Sequence, residues 1–205
     1  LEQPPLLVSS WVNLRDTLTN SAEAVINAQL TQGITWEEGS IVIPAGKTVT
    51  LNLPDGCNID AKNSGTAIQV HGNLIINGNQ NGMITQGAAT DGSPAGGIYI
   101  APGGRVTMNG GMIANCSAGT QTATGVGGVY VSEGATFEMN AGYIAQCSGG
   151  NENNLLGSPH AASVLNKGTF TINNSASIWD SKGGTLIAGI ALYNSGTFNA
   201  NGGSI

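Results

Sequence analysis

Residues 98–109, IYIAPGGRVTMN, return 31 positions later as residues 129–140, VYVSEGATFEMN. Each copy runs an apolar alternating triplet, a glycine-bearing turn, a second alternating run and a closing asparagine. Outward in both directions the pattern recurs at residues 41–52 (IVIPAGKTVTLN), 68–77 (IQVHGNLIIN), 163–173 (SVLNKGTFTIN) and 190–201 (IALYNSGTFNAN). The closing asparagines are Asn52, Asn77, Asn109, Asn140, Asn173 and Asn201, at intervals of 25, 32, 31, 33 and 28 residues. Four to seven residues after each stands an isoleucine: Ile59, Ile84, Ile113, Ile144, Ile178 and Ile205.

A period of this length marks a stack of small units, none of which can bury its own apolar side chains until a neighbour lies on it. Alternation puts Ile98 and Ile100, or Val129 and Val131, on one side of a pleat with Tyr99 or Tyr130 on the other. The second run does the same with Val106 and Met108, or Phe137 and Met139, and a short third strand adds the isoleucine. The expected fold is all-β, a right-handed parallel β-helix of about six coils with three brief strands per coil. A leucine-rich repeat has a similar period and an asparagine ladder. It requires an L-x-x-L-x-L core and a helix per repeat, and the glycine-rich segments between these units are poor helix formers.

The ladder asparagines read as structural. Asparagine tolerates the left-handed backbone that a sharp corner needs, and its amide can bond to the same position one coil away.

At the N-terminus, Trp11, Leu14 and Leu18 recur at helical spacing after Ser10, a suitable N-cap. Residues 1–35 are therefore expected to form a cap, with a short helix and an opening strand over residues 25–30. Residues 36–205 form the β-helix. The chain stops at Ile205 in mid-repeat without a polar cap, which leads to the expectation of further coils or domains of the same chain beyond it. Segments of unequal length, residues 60–66, 85–97, 114–128, 145–161 and 179–189, separate the units, and insertions on one side of a solenoid commonly carry its contacts.

Composition narrows function. Charged residues are 9% of the chain, against about a quarter in ordinary domains. The net charge of −6 comes without runs of either sign, so no basic stripe exists for nucleic acid. No apolar stretch reaches the roughly 20 residues of a membrane span, and the opening LEQPPLL lacks the parts of a signal peptide. Cys57, Cys116 and Cys147 match no zinc spacing. Cys116 and Cys147 each follow their isoleucine by three residues, so they should stack in adjacent coils, as a disulfide or as two small apolar fillers. No metal or cofactor is expected.

The lines GGVYVSEGATFEMNAGYIAQCS, GTFTIN and NSGTFNANGGSI, with IPAGKTVTLNL as an opening coil, resemble the β-helix repeats of large cell-surface proteins of gut-dwelling bacteria. The likeness covers roughly residues 41–205. It implies an extracellular or cell-surface, adhesin-like protein.

Catalysis is not expected. Glycoside hydrolysis needs two carboxylates about 5–10 Å apart, whereas Asp60, Asp91, Glu133, Glu138, Glu152 and Asp180 occupy different registers and only Glu133 and Glu138 are near one another. Arg105 and Lys167 stand alone, and His71 and His160 belong to separate segments. The outward second-strand row Thr50, Ile75, Thr107, Glu138, Thr171 and Asn199 is too mixed for an ice-binding face. Tyr99, Tyr130, Met112, Tyr143 and Trp179, with Met83, are the candidate contact residues, since outward aromatic side chains suit stacking on sugars or gripping protein. The expected function is a non-catalytic adhesion or binding module whose loop-bearing side contacts a host or environmental glycan or protein. A β-helix polysaccharide lyase or glycoside hydrolase, and a plain spacer, are the alternatives.

Overall fold

The computed structural model describes residues 4–90, 93–118, 125–149, 161–182 and 190–205. Every pairing between its strands is parallel. The triplets Ile41–Ile43, Ile68–Val70, Ile98–Ile100, Val129–Val131, Val164–Asn166 and Leu192–Asn194 form one six-stranded sheet in chain order, so the chain completes five full turns between its six rungs. The fold is a parallel β-helix.

The second run of each repeat lies in another sheet. Val25–Leu30, Thr48–Leu53, Asn73–Gly78, Arg105–Ala114, Thr136–Ala145, Thr169–Trp179 and Thr197–Asn201 follow one another there. Three strands per coil hold for the early rungs only, where Ile34–Thr35, Ile59–Asp60 and Met83–Thr85 are separate. In the three rungs from Arg105 to Trp179 the second and third strands run on as one bent strand, with register shifts after Met108 and after Met139. The isoleucines stack in register as Ile34, Ile59, Ile84, Ile113, Ile144 and Ile178, all buried.

Val49, Leu51, Leu74, Ile76, Val106, Met108, Phe137, Met139, Phe170 and Ile172 point inward from the second row and are buried. Removing each from water is worth about 1.5–3 kcal/mol. Phe137 and Phe170 stack at 5.1 Å between ring centroids, nearly parallel at 10°.

The helix Trp11–Asn20 begins where expected, with the Ser10 hydroxyl accepting from the Asn13 N–H at 3.1 Å. Its Trp11, Leu14 and Leu18 are fully buried, and it packs against Ile41–Ile43. Trp11 donates through Nε1 to the Gly39 carbonyl at 2.9 Å and lies 4.9 Å from the Trp36 ring. The opening strand Val25–Leu30 is not the outermost: Leu6–Val8, which alternation over so few residues does not reveal, pairs with it in parallel.

The asparagine ladder is continuous. Nδ2 of Asn201, Asn173, Asn140, Asn109 and Asn77 each donates to Oδ1 of the asparagine one coil earlier, at 3.0, 2.6, 2.9, 3.1 and 3.2 Å. Asn52 closes the series on Asn27 at 2.7 Å, a seventh member. The left-handed backbone expected at these asparagines falls elsewhere, on Gly111 (φ 85°) and Gly142 (φ 92°) at the same corner and on Gln86, Asn115, Gln146 and Asp180 at the next. Side-chain bonding, not backbone tolerance, is the physical reason for the ladder.

Candidate functional site

The offset from ladder asparagine to isoleucine is seven residues at Asn52 and Asn77 but four at Asn109 and Asn140. Residues 54–58 and 79–82 therefore bulge between separate strands, while Gly110–Gly111 and Ala141–Gly142 bend inside continuous ones. Where wide corners give way to tight ones the surface steps down, and a groove of about 610 Å³ lies along the step. Asp55 and the amides Asn79, Gln80 and Asn81 come from the wide corners, and Tyr143 comes from a tight one. A smaller hollow of about 350 Å³ continues it over Asn52, Asn77 and Asn109.

The floor is glycine because backbones meet there. A Cβ on Gly110 would lie 2.3 Å from the Gly78 carbonyl oxygen, and one on Gly142 would lie 2.5 Å from that of Gly111. Real Cβ atoms do not approach so closely, so the corner stays free of side chains and the groove stays open.

The lining presents amide donors and acceptors, one carboxylate and one aromatic ring. Hydroxyl groups both donate and accept, which amides match, and the apolar face of a sugar ring packs on an aromatic face. The volume falls within the range of small-ligand sites.

The candidate contact residues separate into three places. Met83, Met112 and Tyr143 are register partners on successive rungs and half-buried, with Tyr143 in the groove. Tyr99 and Tyr130 are neighbours on the first-strand row, 5.8 Å apart. There they join a separate apolar cluster outside the coil with Ala95, Val126, Ala161 and Leu165. Tyr130 is only 9% exposed, and the Lys167 ammonium lies 5.5 Å from its ring centroid, so its faces are occupied from within the protein. Trp179 is 45% exposed and sits two register positions beyond the Met112–Tyr143 row, past the isoleucines and opposite Ala145.

The carboxylates remain dispersed. Asp60 accepts from the Lys62 N–H at 2.8 Å, and Glu138 lies in register between Thr107 and Thr171. Asp91, Glu152 and His160 lie outside the described residues. Cys57, Cys116 and Cys147 are buried free thiols. Cys116 bonds the Ala114 carbonyl at 3.3 Å and Cys147 that of Ala145 at 3.5 Å. The Cys116 thiol is held well above its ordinary range, first by its hydrogen bond with Cys147 and then by burial. No helix among the described residues is long and apolar enough to cross a membrane.

The contact residues that the sequence suggests, four aromatic side chains and two methionines, do not include the amides of residues 79–81. Their signal was present as the drop in offset from seven to four. Comparison of the chain with protein-family models, with curated proteins and with solved structures found no match.

Proposed function

We propose that this chain is a non-catalytic binding module of an extracellular or cell-surface protein and that it takes a glycan in the stepped groove. The observation that carries the reading is the groove lining: Asn79, Gln80, Asn81 and Asn109 as paired donors and acceptors, with the Tyr143 ring beside them. Asp55 is the one carboxylate of that lining, where a hydrolase of the usual kind sets two across its substrate. The resemblance of the repeats to those of bacterial surface proteins supports the location and the adhesive role. The groove is a feature of the corner between second and third strands, while the long insertions leave from the other end of the third strand. The amide corner is therefore the contact surface proposed.

A glycan array tests this. The intact chain should give signals that Asn81→Ala and Tyr143→Ala reduce while melting stays cooperative. An array silent for the intact chain would overturn the binding reading in favour of a spacer, and product release from a polysaccharide would overturn it in favour of a lyase or hydrolase.

A further inference from the structure

The other end of the same strand row carries a different chemistry. At the corner between first and second strands, Lys47, His71, Asn73 and Arg105 line a cleft of about 370 Å³. The chain has six Lys and Arg and two His in total, against 12 Asp and Glu, yet two of those cations and one of those imidazoles converge here. Residues that stand far apart in sequence are brought together by register: Thr48, Asn73 and Arg105 are partners on successive rungs, roughly 4.8 Å per step.

Three features make the cleft more than a patch of surface charge. Among the described residues, Arg15 makes the ion pairs, with Asp16 and Glu38, so neither Lys47 nor Arg105 is neutralised by a carboxylate. The Lys47 ammonium is steadied by donation to the Ser21 carbonyl at 2.5 Å, which leaves two of its N–H groups. Asn73 Oδ1 is buried without a hydrogen-bond partner, alone in this among the described side chains. Around it the backbone N–H groups of Lys47, His71, Gly72, Asn73, Gly104 and Arg105 are spent within the fold. Side chains are thus the main groups left to recognise a ligand, beside the backbone of Gly46 and Gly103 in the same lining.

We propose that this cleft binds the carboxylate or sulfate of an acidic sugar. Arg105 and Lys47 take the oxyanion by charge-assisted hydrogen bonds, and a neighbouring hydroxyl or the reoriented guanidinium satisfies Asn73 Oδ1. The inference rests on the glycan reading of the groove for the rest of the ligand. Asn73 and Gly78 bound one strand, so the cleft and the groove are separated by about 17 Å along the outer face. Glu133 stands at the corner corresponding to Pro102, one coil past Gly103 and two past His71, and opposes an anion there.

Calorimetric titration with matched probes tests the proposal: oligogalacturonate against its methyl ester, and dextran sulfate against dextran. The charged member of at least one pair should bind the intact chain more tightly, less so as salt is raised. Arg105→Ala should weaken that binding about tenfold or more, Arg105→Lys should restore part of it, and Glu133→Gln should strengthen it. Both charged probes binding no better than their neutral partners would overturn the proposal, as would unchanged affinity in Arg105→Ala with its melting temperature intact. Neutral probes that bind and are lost in Tyr143→Ala would in that case leave the groove reading standing. A chain that binds none of the four fails the acidic-sugar proposal, and the glycan array decides the groove reading. Pectate binding alone identifies the carboxylate, and dextran sulfate alone the sulfate.

Discussion

Asn109 accepts from Asn140 through Oδ1 at 2.9 Å and donates through Nδ2 to Asn77 at 3.1 Å, so one exposed side chain joins three coils. Asn109→Ala removes both bonds while leaving the freed amides open to water. At about 0.5–1.5 kcal/mol per bond the expected loss is about 1–3 kcal/mol, or roughly 2–12 °C in melting temperature for a chain of this size. Thermal melting followed by circular dichroism checks it, and no shift would show that the ladder is a consequence of stacking and adds nothing to it.

Gly142 and Gly134 both have positive φ, 92° and 75°, but they differ in surroundings. A Cβ at Gly142 meets the Gly111 carbonyl oxygen and the Met108 side chain, and one at Gly134 meets nothing within 4 Å. Gly134→Ala should cost only the left-handed strain, about 1–2 kcal/mol. Gly142→Ala adds overpacking and should cost about 2–4 kcal/mol. Chemical denaturation of the two variants gives the comparison, and equal losses would refute the tight-corner account of the groove floor.

Tyr130 and Tyr143 separate stability from recognition. Tyr130 lies under the outer cluster, so Tyr130→Ala should destabilise by about 3 kcal/mol and leave groove binding unchanged in the folded protein. Tyr143 lines the groove and is half-buried, so Tyr143→Ala should weaken glycan binding about tenfold at little cost to melting. Paired melting and titration of both variants is the measurement, and the reverse pattern would place the contact surface on the first-strand row.

The raised Cys116 thiol sets a pH dependence. A thiol held above its unfolded range binds its proton more tightly in the folded chain. The resulting stability is present below the unfolded value, about 8.5, and is lost as pH climbs toward the folded one. Melting temperature should therefore fall more steeply above pH 9 in the intact chain than in the double variant Cys116→Ala/Cys147→Ala, which removes both thiols of the bonded pair. Parallel slopes would show that ionisation of this thiol does not contribute.

The sequence alone determined the parallel β-helix, because a coil has one solution for its apolar teeth and that solution repeats. Val106, Phe137 and Phe170 point inward for the same reason at each rung, and the asparagines close each rung at the same register. The helix Trp11–Asn20 was legible from a cap and a 3–4 spacing, both of them local signals. Leu6–Val8 and the fusion of second and third strands were not, since a three-residue run carries almost no periodicity and a bend costs no change of pattern. Tertiary structure alone decided that Tyr130 is covered while Tyr143 is not, because burial of an outward side chain depends on what folds over it from outside its own repeat. It also decided that Lys47, His71 and Arg105 share one cleft. Residues that the chain separates by one turn or two become neighbours only when the coils stack, and the distance between them is then set by the number of rungs instead of their separation in sequence.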